Sequence, residues 1–160
     1  MGTANSQLKK VLVVCTGNSC RSPMAEGWLN PRLAGKGWTA ESAGVAAWGG
    51  APPTPEAVEA MWEIGVDISA HRSRKLTAGA VAEATMILAM AESHRREIVQ
   101  AYPEAAGKTF LLNSFGPGPT RDVADPMGFS VEVYRRTRDE LTRALGDFLL
   151  HLAERGELKR

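Results

Sequence analysis

Val11-Leu12-Val13-Val14-Cys15-Thr16-Gly17-Asn18-Ser19-Cys20-Arg21-Ser22-Pro23 reads as a buried strand, a tight loop and the start of a helix. The four apolar residues suit a strand of an α/β sheet. Gly17 and Asn18 tolerate the unusual backbone angles of a tight loop, and Ser22-Pro23 reads as an N-cap followed by the first helical residue. The loop sets one thiol, Cys15, and one guanidinium, Arg21, around a small concavity. Backbone N–H groups between them can turn inward as an anion nest, with the positive end of the helix dipole behind it. Such a site favours a thiolate and a tetrahedral oxyanion together, which nucleophilic attack on a phosphate ester requires. A bland reading competes with this one: a Gly-containing turn between strand and helix, carrying two inert thiols. The apolar strand, the permissive loop residues and the helix start weigh against it.

Outward from this stretch, strand-like and helix-like segments alternate. Lys10–Cys15 is the first strand, and a helix runs from Pro23 to about Leu33, with Pro31 placed to end or kink it. Thr39–Ala43 forms a short second strand. A helix follows over Pro55–Ile64, with Val58, Met61 and Trp62 on one side. Thr85–Met90 is a third strand, Glu92–Gln100 a helix, and Thr109–Leu112 a fourth strand. The last helix starts near Ser130 and carries Tyr134, Leu141, Leu145, Phe148 and Leu152 at helical spacing. Alternating β and α elements argue for a parallel sheet with helices on both faces. Ligands of such sheets bind at the carboxyl ends of the strands, where Cys15 falls.

Composition sets bounds on the rest. The 160 residues suit one domain, 1–160. A hydrophobic fraction of 44% and a charged fraction of 23% are ordinary for a globular chain. A net charge of +1 gives no electrostatic footprint for nucleic acid. No apolar run reaches the roughly 18 residues of a membrane span, and the N-terminus lacks a signal-peptide core. Gly2 and Ser6 fit a loose N-myristoylation pattern. With both cysteines in one loop, a disulfide framework is not expected and a reducing cytoplasm is. No His, Cys and carboxylate cluster shows metal-ligand spacing, so neither metal nor cofactor is expected.

Chemistry at Cys15 also requires an acid for the leaving group. Asp125, in Arg121-Asp122-Val123-Ala124-Asp125-Pro126, follows the fourth strand and the Gly/Pro-rich Phe115–Pro119, which places it at the same sheet edge. Pro126 restricts Asp125 to an extended backbone. The competing reading is a loop Asp-Pro that serves only as a turn.

The loop from Val14 to Glu26 resembles that of the low-molecular-weight protein tyrosine phosphatases. The resemblance continues through Ser42-Ala43-Gly44, Ala70-His71-Arg72-Ser73, Asp125-Pro126 and Tyr134-Arg135-Arg136-Thr137, and so spans nearly the whole chain. It implies a flavodoxin-like sheet of four parallel strands. It also implies Cys15 as nucleophile, Arg21 as phosphate ligand and Asp125 as general acid and then base. Thr16, Gly17, Asn18, Ser19, Cys20 and Ser22 would line or support the phosphate loop, with Ser22 donating to the thiolate. Asn18, Ser42 and His71 would form the network holding the loop in shape, though His71 also reads as a simple loop-facing imidazole. Cys20 matches a residue that in the family can pair reversibly with the nucleophile; it reads equally as a small buried apolar residue. A phosphorylated protein is the implied partner, and a monomer or weak dimer the expected state.

Three relatives share this loop: tyrosine phosphatases, protein arginine phosphatases and arsenate reductases. The last need further downstream cysteines, and this chain has only two. Ser19 stands where tyrosine phosphatases usually carry a bulky aliphatic residue and arginine phosphatases Thr. Met127-Gly128 stands where tyrosine phosphatases are often aromatic. Trp48, six residues after Ser42, falls where they place an aromatic wall of the substrate slot; it also reads as an exposed loop residue. The balance leans to phosphotyrosine, with phosphoarginine as the alternative.

Overall fold

The computed structural model describes residues 8–160. The Gly2/Ser6 pattern lies outside them. β1 (Lys9–Cys15) has neighbours on both sides in a four-stranded parallel sheet with β2 (Trp38–Gly44), β3 (Met86–Ala89) and β4 (Thr109–Leu111), in the order β2-β1-β3-β4. The run Val11–Val14 is continuously apolar because both of its faces are covered. Val11, Val13 and Cys15 join one core with Leu29, Leu33, Phe148 and Leu152. Leu12 and Val14 join a second with Val81, Ile87 and Ile98. Helices α1 (Arg21–Leu33), α2 (Pro55–Trp62) and α5 (Val131–Glu154) supply the first core, while α3 (Ala78–Glu83) and α4 (Glu92–Ala101) supply the second. This is the expected flavodoxin-like α/β architecture. The chain leaves β1 for β2 on one side and returns to β3 on the other, so a crevice opens beyond the carboxyl end of β1. No helix among the described residues is long and apolar enough to cross a membrane.

Most elements fall within a residue or two of the expected bounds, and four expectations change. Helix α1 begins at Arg21, with Cys20 at the cap position and no side-chain cap, so Ser22 is an interior helical residue rather than the N-cap. Its hydroxyl turns to Cys15 and Asn18 instead. Pro31 lies inside α1 without ending it; so close to the helix end, its missing N–H removes a single bond. Trp62, expected on the apolar side of α2, is 65% exposed, whereas Met61 and the whole α5 stripe are buried. Helix α3 was not expected: its sequence, Ala-Gly-Ala-Val-Ala-Glu, buries only Val81 and so carries no periodic signal. It is held by its ends. Thr77 accepts the Ala80 N–H at 3.1 Å, and Lys108 Nζ donates to the Val81 and Ala84 carbonyls at 2.7 and 2.6 Å.

Phe148 sits at zero exposure and stacks edge-on against Phe115, with centroids 5.2 Å apart. Phe148→Ala is expected to lower unfolding free energy in urea by about 3–5 kcal/mol. Trp62→Ala should change it by less than about 0.5 kcal/mol. Equal losses would contradict the outward placement of Trp62.

Candidate active site

At the end of β1 the backbone folds into a loop organised around Asn18. This residue is completely buried and has φ +54°, the one positive φ outside glycine among the described residues. Its side-chain amide is fully employed. Nδ2 donates to Ser22 Oγ at 2.7 Å and to Ser42 Oγ at 2.9 Å, and Oδ1 accepts the Arg74 N–H at 2.8 Å. Its main-chain carbonyl accepts from His71 Nε2 at 3.1 Å. Ser42, in turn, donates to Glu26 Oε1, and His71 Nδ1 lies 3.9 Å from the same oxygen. The expected Asn18–Ser42–His71 network is thus assembled, with Glu26, Ser22 and Arg74 joined to it.

An amide NH2 only donates, so the Ser22 oxygen accepts from Asn18 and its own hydrogen stays available. Cys15 Sγ lies 2.9 Å from that oxygen, within reach of the hydrogen. The strand edge grips the loop as well: Val45 and Ala46 donate to the Cys15 and Thr16 carbonyls, and Thr54 to that of Ser19. Gly44 has no side chain for a steric reason. A Cβ there would lie 2.5 Å from the Thr16 carbonyl oxygen and 2.9 Å from Asn18 N. Gly44→Ala is therefore expected to lower stability by about 1–3 kcal/mol through overpacking. It should also weaken inorganic phosphate binding by calorimetry, because the loop itself must shift.

Arg21 is 5% exposed. Its Nη1 donates to the Val123 carbonyl at 2.8 Å, and Nη2 lies 3.6 Å from Asp125 Oδ2. The segment carrying Asp125 is tied to the sheet through Val123 N–H, which donates to the Met90 carbonyl. It is tied to α4 through Asp122 Oδ1, which accepts the Glu92 N–H at 2.9 Å. The other oxygen of Asp125 accepts the Met127 N–H at 3.1 Å. Thiol, guanidinium and carboxylate thus converge on one concavity, lined by Cys15, Gly17, Ser19, Cys20, Arg21, Asp125 and Met127. Trp48 is not part of that lining; its side chain stands 87% exposed, and its carbonyl accepts from Ser73 Oγ. Thr16 also lies outside the lining, although its backbone belongs to the loop. Cys20 is a free, buried thiol with Tyr134 Oη at 3.4 Å and Thr54 Oγ1 at 3.7 Å. Burial pushes its pKa up.

One residue near the site was not anticipated. His94, in the first turn of α4, is 4% exposed and places Nε2 2.8 Å from Thr16 Oγ1. Nothing local in Ser93-His94-Arg95 marks it, because its partner is 78 residues away. Burial, and then the positive charge of Arg21, push its pKa down to about 4. The unfolded chain takes up the proton near the ordinary value of 6.5. This contribution to stability is therefore complete above 6.5 and lost as pH falls from there toward 4. Chemical denaturation from pH 7 to 5 is expected to lose about 2 kcal/mol at this position. His94→Gln should flatten that part of the profile.

A buried thiol at the carboxyl edge of a doubly wound sheet, with a guanidinium and a carboxylate at the same concavity, defines a class of small cysteine phosphatases. Within that class, the chain belongs to the low molecular weight phosphotyrosine protein phosphatase family, whose model matches residues 10–158. It is 45% identical over 133 residues to a protein-arginine-phosphatase of Geobacillus stearothermophilus, covering 82% of this chain and 88% of that one. It is 38% identical to a probable low molecular weight protein-tyrosine-phosphatase, EpsP, of Ralstonia nicotianae, covering 86% and 92%. Among solved structures, a low molecular weight protein tyrosine phosphatase from T. tengcongensis superposes with a TM-score of 0.85 at 46% identity, over 90% and 99% of the two chains.

Proposed function

We propose that this chain, acting as a single domain, hydrolyses phosphotyrosine in proteins through a phosphocysteine intermediate. The observation that carries the reading is the 2.9 Å contact between Ser22 Oγ and Cys15 Sγ, opposite the Arg21–Asp125 pair. A hydroxyl that can give its hydrogen to sulfur favours the thiolate over the thiol. The start of α1, at Arg21, acts in the same sense.

The thiolate of Cys15 attacks phosphorus in line, forming an S–P bond as the bond to the leaving oxygen breaks. Asp125 gives that oxygen its proton. The equatorial oxygens, whose charge is spread in the transition state, are held by the loop N–H groups and by Arg21. Arg21 must turn its Nη2 from the Asp125 carboxylate toward phosphate; its bond to the Val123 carbonyl keeps the guanidinium plane in place meanwhile. Asp125, now ionised, takes a proton from water as that water attacks phosphorus. The S–P bond breaks, and Cys15 leaves as a thiolate that Ser22 again stabilises.

Two features support a tyrosine substrate. The family description names phosphotyrosine, and Trp48 follows two residues after Ala46, which is bonded to the phosphate loop. An exposed ring at that rim can stack on an aryl group for about 0.5–1.5 kcal/mol beyond area burial. A specific observation favours phosphoarginine as the second reading: Ser19 and Met127, rather than a bulky aliphatic residue and an aromatic ring, line the concavity. The leaving atom would then be nitrogen, protonated by the same Asp125. The reading places the enzyme in the cytoplasm, as a monomer or weak dimer, with phosphorylated proteins as its partners.

Side-by-side kinetics on phosphotyrosine and phosphoarginine peptides decide between the two, with the higher kcat/KM expected for phosphotyrosine. A clear reversal would reassign the substrate. Cys15→Ser should abolish turnover while retaining phosphate binding, and Asp125→Asn should lower kcat by about 10²–10⁴-fold. Substantial activity in Cys15→Ser would remove the mechanism altogether.

A further inference from the structure

Asp125 stands on a segment with few fixed points. Its carboxylate accepts the Met127 N–H, two residues on, and otherwise faces Arg21 Nη2 at 3.6 Å. In the reaction above Arg21 turns to phosphate, so that contact is lost just when the acid must deliver its proton. The stretch before Asp125 must then set its place. Val123 N–H donates to the Met90 carbonyl, and Met90 N–H donates to that of Val14, the neighbour of the nucleophile. The bond from Arg21 Nη1 also ends on Val123. All of these ties meet at one residue, about which the segment can still pivot.

Asp122 supplies a second point. Its Oδ1 accepts the Glu92 N–H at 2.9 Å. That N–H belongs to the first turn of α4, where backbone donors have no partner within the helix. The cap position is Ala91, which has no side-chain acceptor to offer. Asp122 therefore serves as the missing cap, supplied from the acid-bearing segment 30 residues away. The same helical turn also reaches the phosphate loop, because His94 Nε2 lies 2.8 Å from Thr16 Oγ1. The start of α4 thus touches both the loop that carries the nucleophile and the segment that carries the acid.

We propose that Asp122 is a positioning residue, whose bond to the start of α4 holds Asp125 over the leaving atom once Arg21 has turned to phosphate. The inference rests on the phosphatase reading above and adds to it a residue that touches no reacting atom. Asp122 acts through Asp125, and so on protonation of the leaving group. The bond requires an acceptor at this position and not a charge.

Two aryl phosphates isolate that step. Phenolate is a poor leaving group that needs the proton, whereas p-nitrophenolate departs with far less help. The ratio of kcat/KM for phenyl phosphate to that for p-nitrophenyl phosphate should fall about five-fold in Asp122→Ala, the size of a lost cap. It should return in Asp122→Asn, whose amide oxygen accepts the same N–H. Partial unfolding would lower both rates and leave the ratio alone. In an Asp125→Asn background, Asp122→Ala should change the ratio no further.

The bond can also be cut from its other end. Glu92→Pro removes the N–H at the first helical position, where proline is tolerated and where Ala91 already has the extended backbone that proline requires. It should lower the ratio as Asp122→Ala does, while Glu92→Ala, which keeps the N–H, should not. This pair carries the test if Asp122→Ala does not fold. An unchanged ratio in Asp122→Ala, an equal fall in Asp122→Asn, or a further fall in the Asp125→Asn background overturns the proposal and leaves the phosphatase reading intact. If the wild type turns over neither aryl phosphate, that reading is removed, and the proposal with it.

Discussion

The site depends on one buried amide. Asn18 sits in the left-handed region, which is unfavourable for a residue with a Cβ, and it is held there because every polar atom of its side chain is bonded. With that of its carbonyl, those bonds reach three separate segments: the start of α1 at Ser22, the end of β2 at Ser42, and the loop between α2 and α3 at His71 and Arg74. The strain of the loop is thereby distributed over structure that is itself packed. One of those bonds also holds the Ser22 hydroxyl that touches Cys15, so the conformational and the chemical roles of Asn18 are inseparable.

Placement at the carboxyl edge of the sheet makes this possible. β1 is buried on both faces, so its last residue, Cys15, emerges at a fixed height beside Gly44 of β2. The segment bearing Asp125 arrives from beyond β4 but is anchored to the end of β3 by Val123 and to α4 by Asp122. A carboxylate more than a hundred residues from the thiol is thus brought opposite it by contacts that involve neither group.

Much of this was readable in advance because it is local. The apolar run before Cys15, the permissive Gly17-Asn18 pair and the long stripe on α5 each follow from a few neighbouring residues, and the structure retains all three. The misreadings share a different cause. Ser22-Pro23 has the local pattern of a cap, but the Ser22 hydroxyl bonds to Cys15 and Asn18, and the helix starts earlier. Trp62 fits the apolar side of α2 by spacing, yet nothing packs over it. Helix α3 is specified by its ends, Thr77 and the distant Lys108, rather than by an apolar face.

The sequence by itself determined the sheet, the loop and the family of reactions, since these depend on periodicity, on backbone permissiveness and on a thiol and a guanidinium six residues apart. Only the tertiary structure decided the contacts of the Ser22 hydroxyl with Cys15 and Asn18, the approach of Asp125 to Arg21, the separation of Trp48 from the lining, and the pairing of His94 with Thr16. Each of these is a meeting of atoms from different elements, or the absence of one. Hydrogen-bond partners and desolvation are set by what surrounds a group in space, and a linear pattern carries no record of those neighbours.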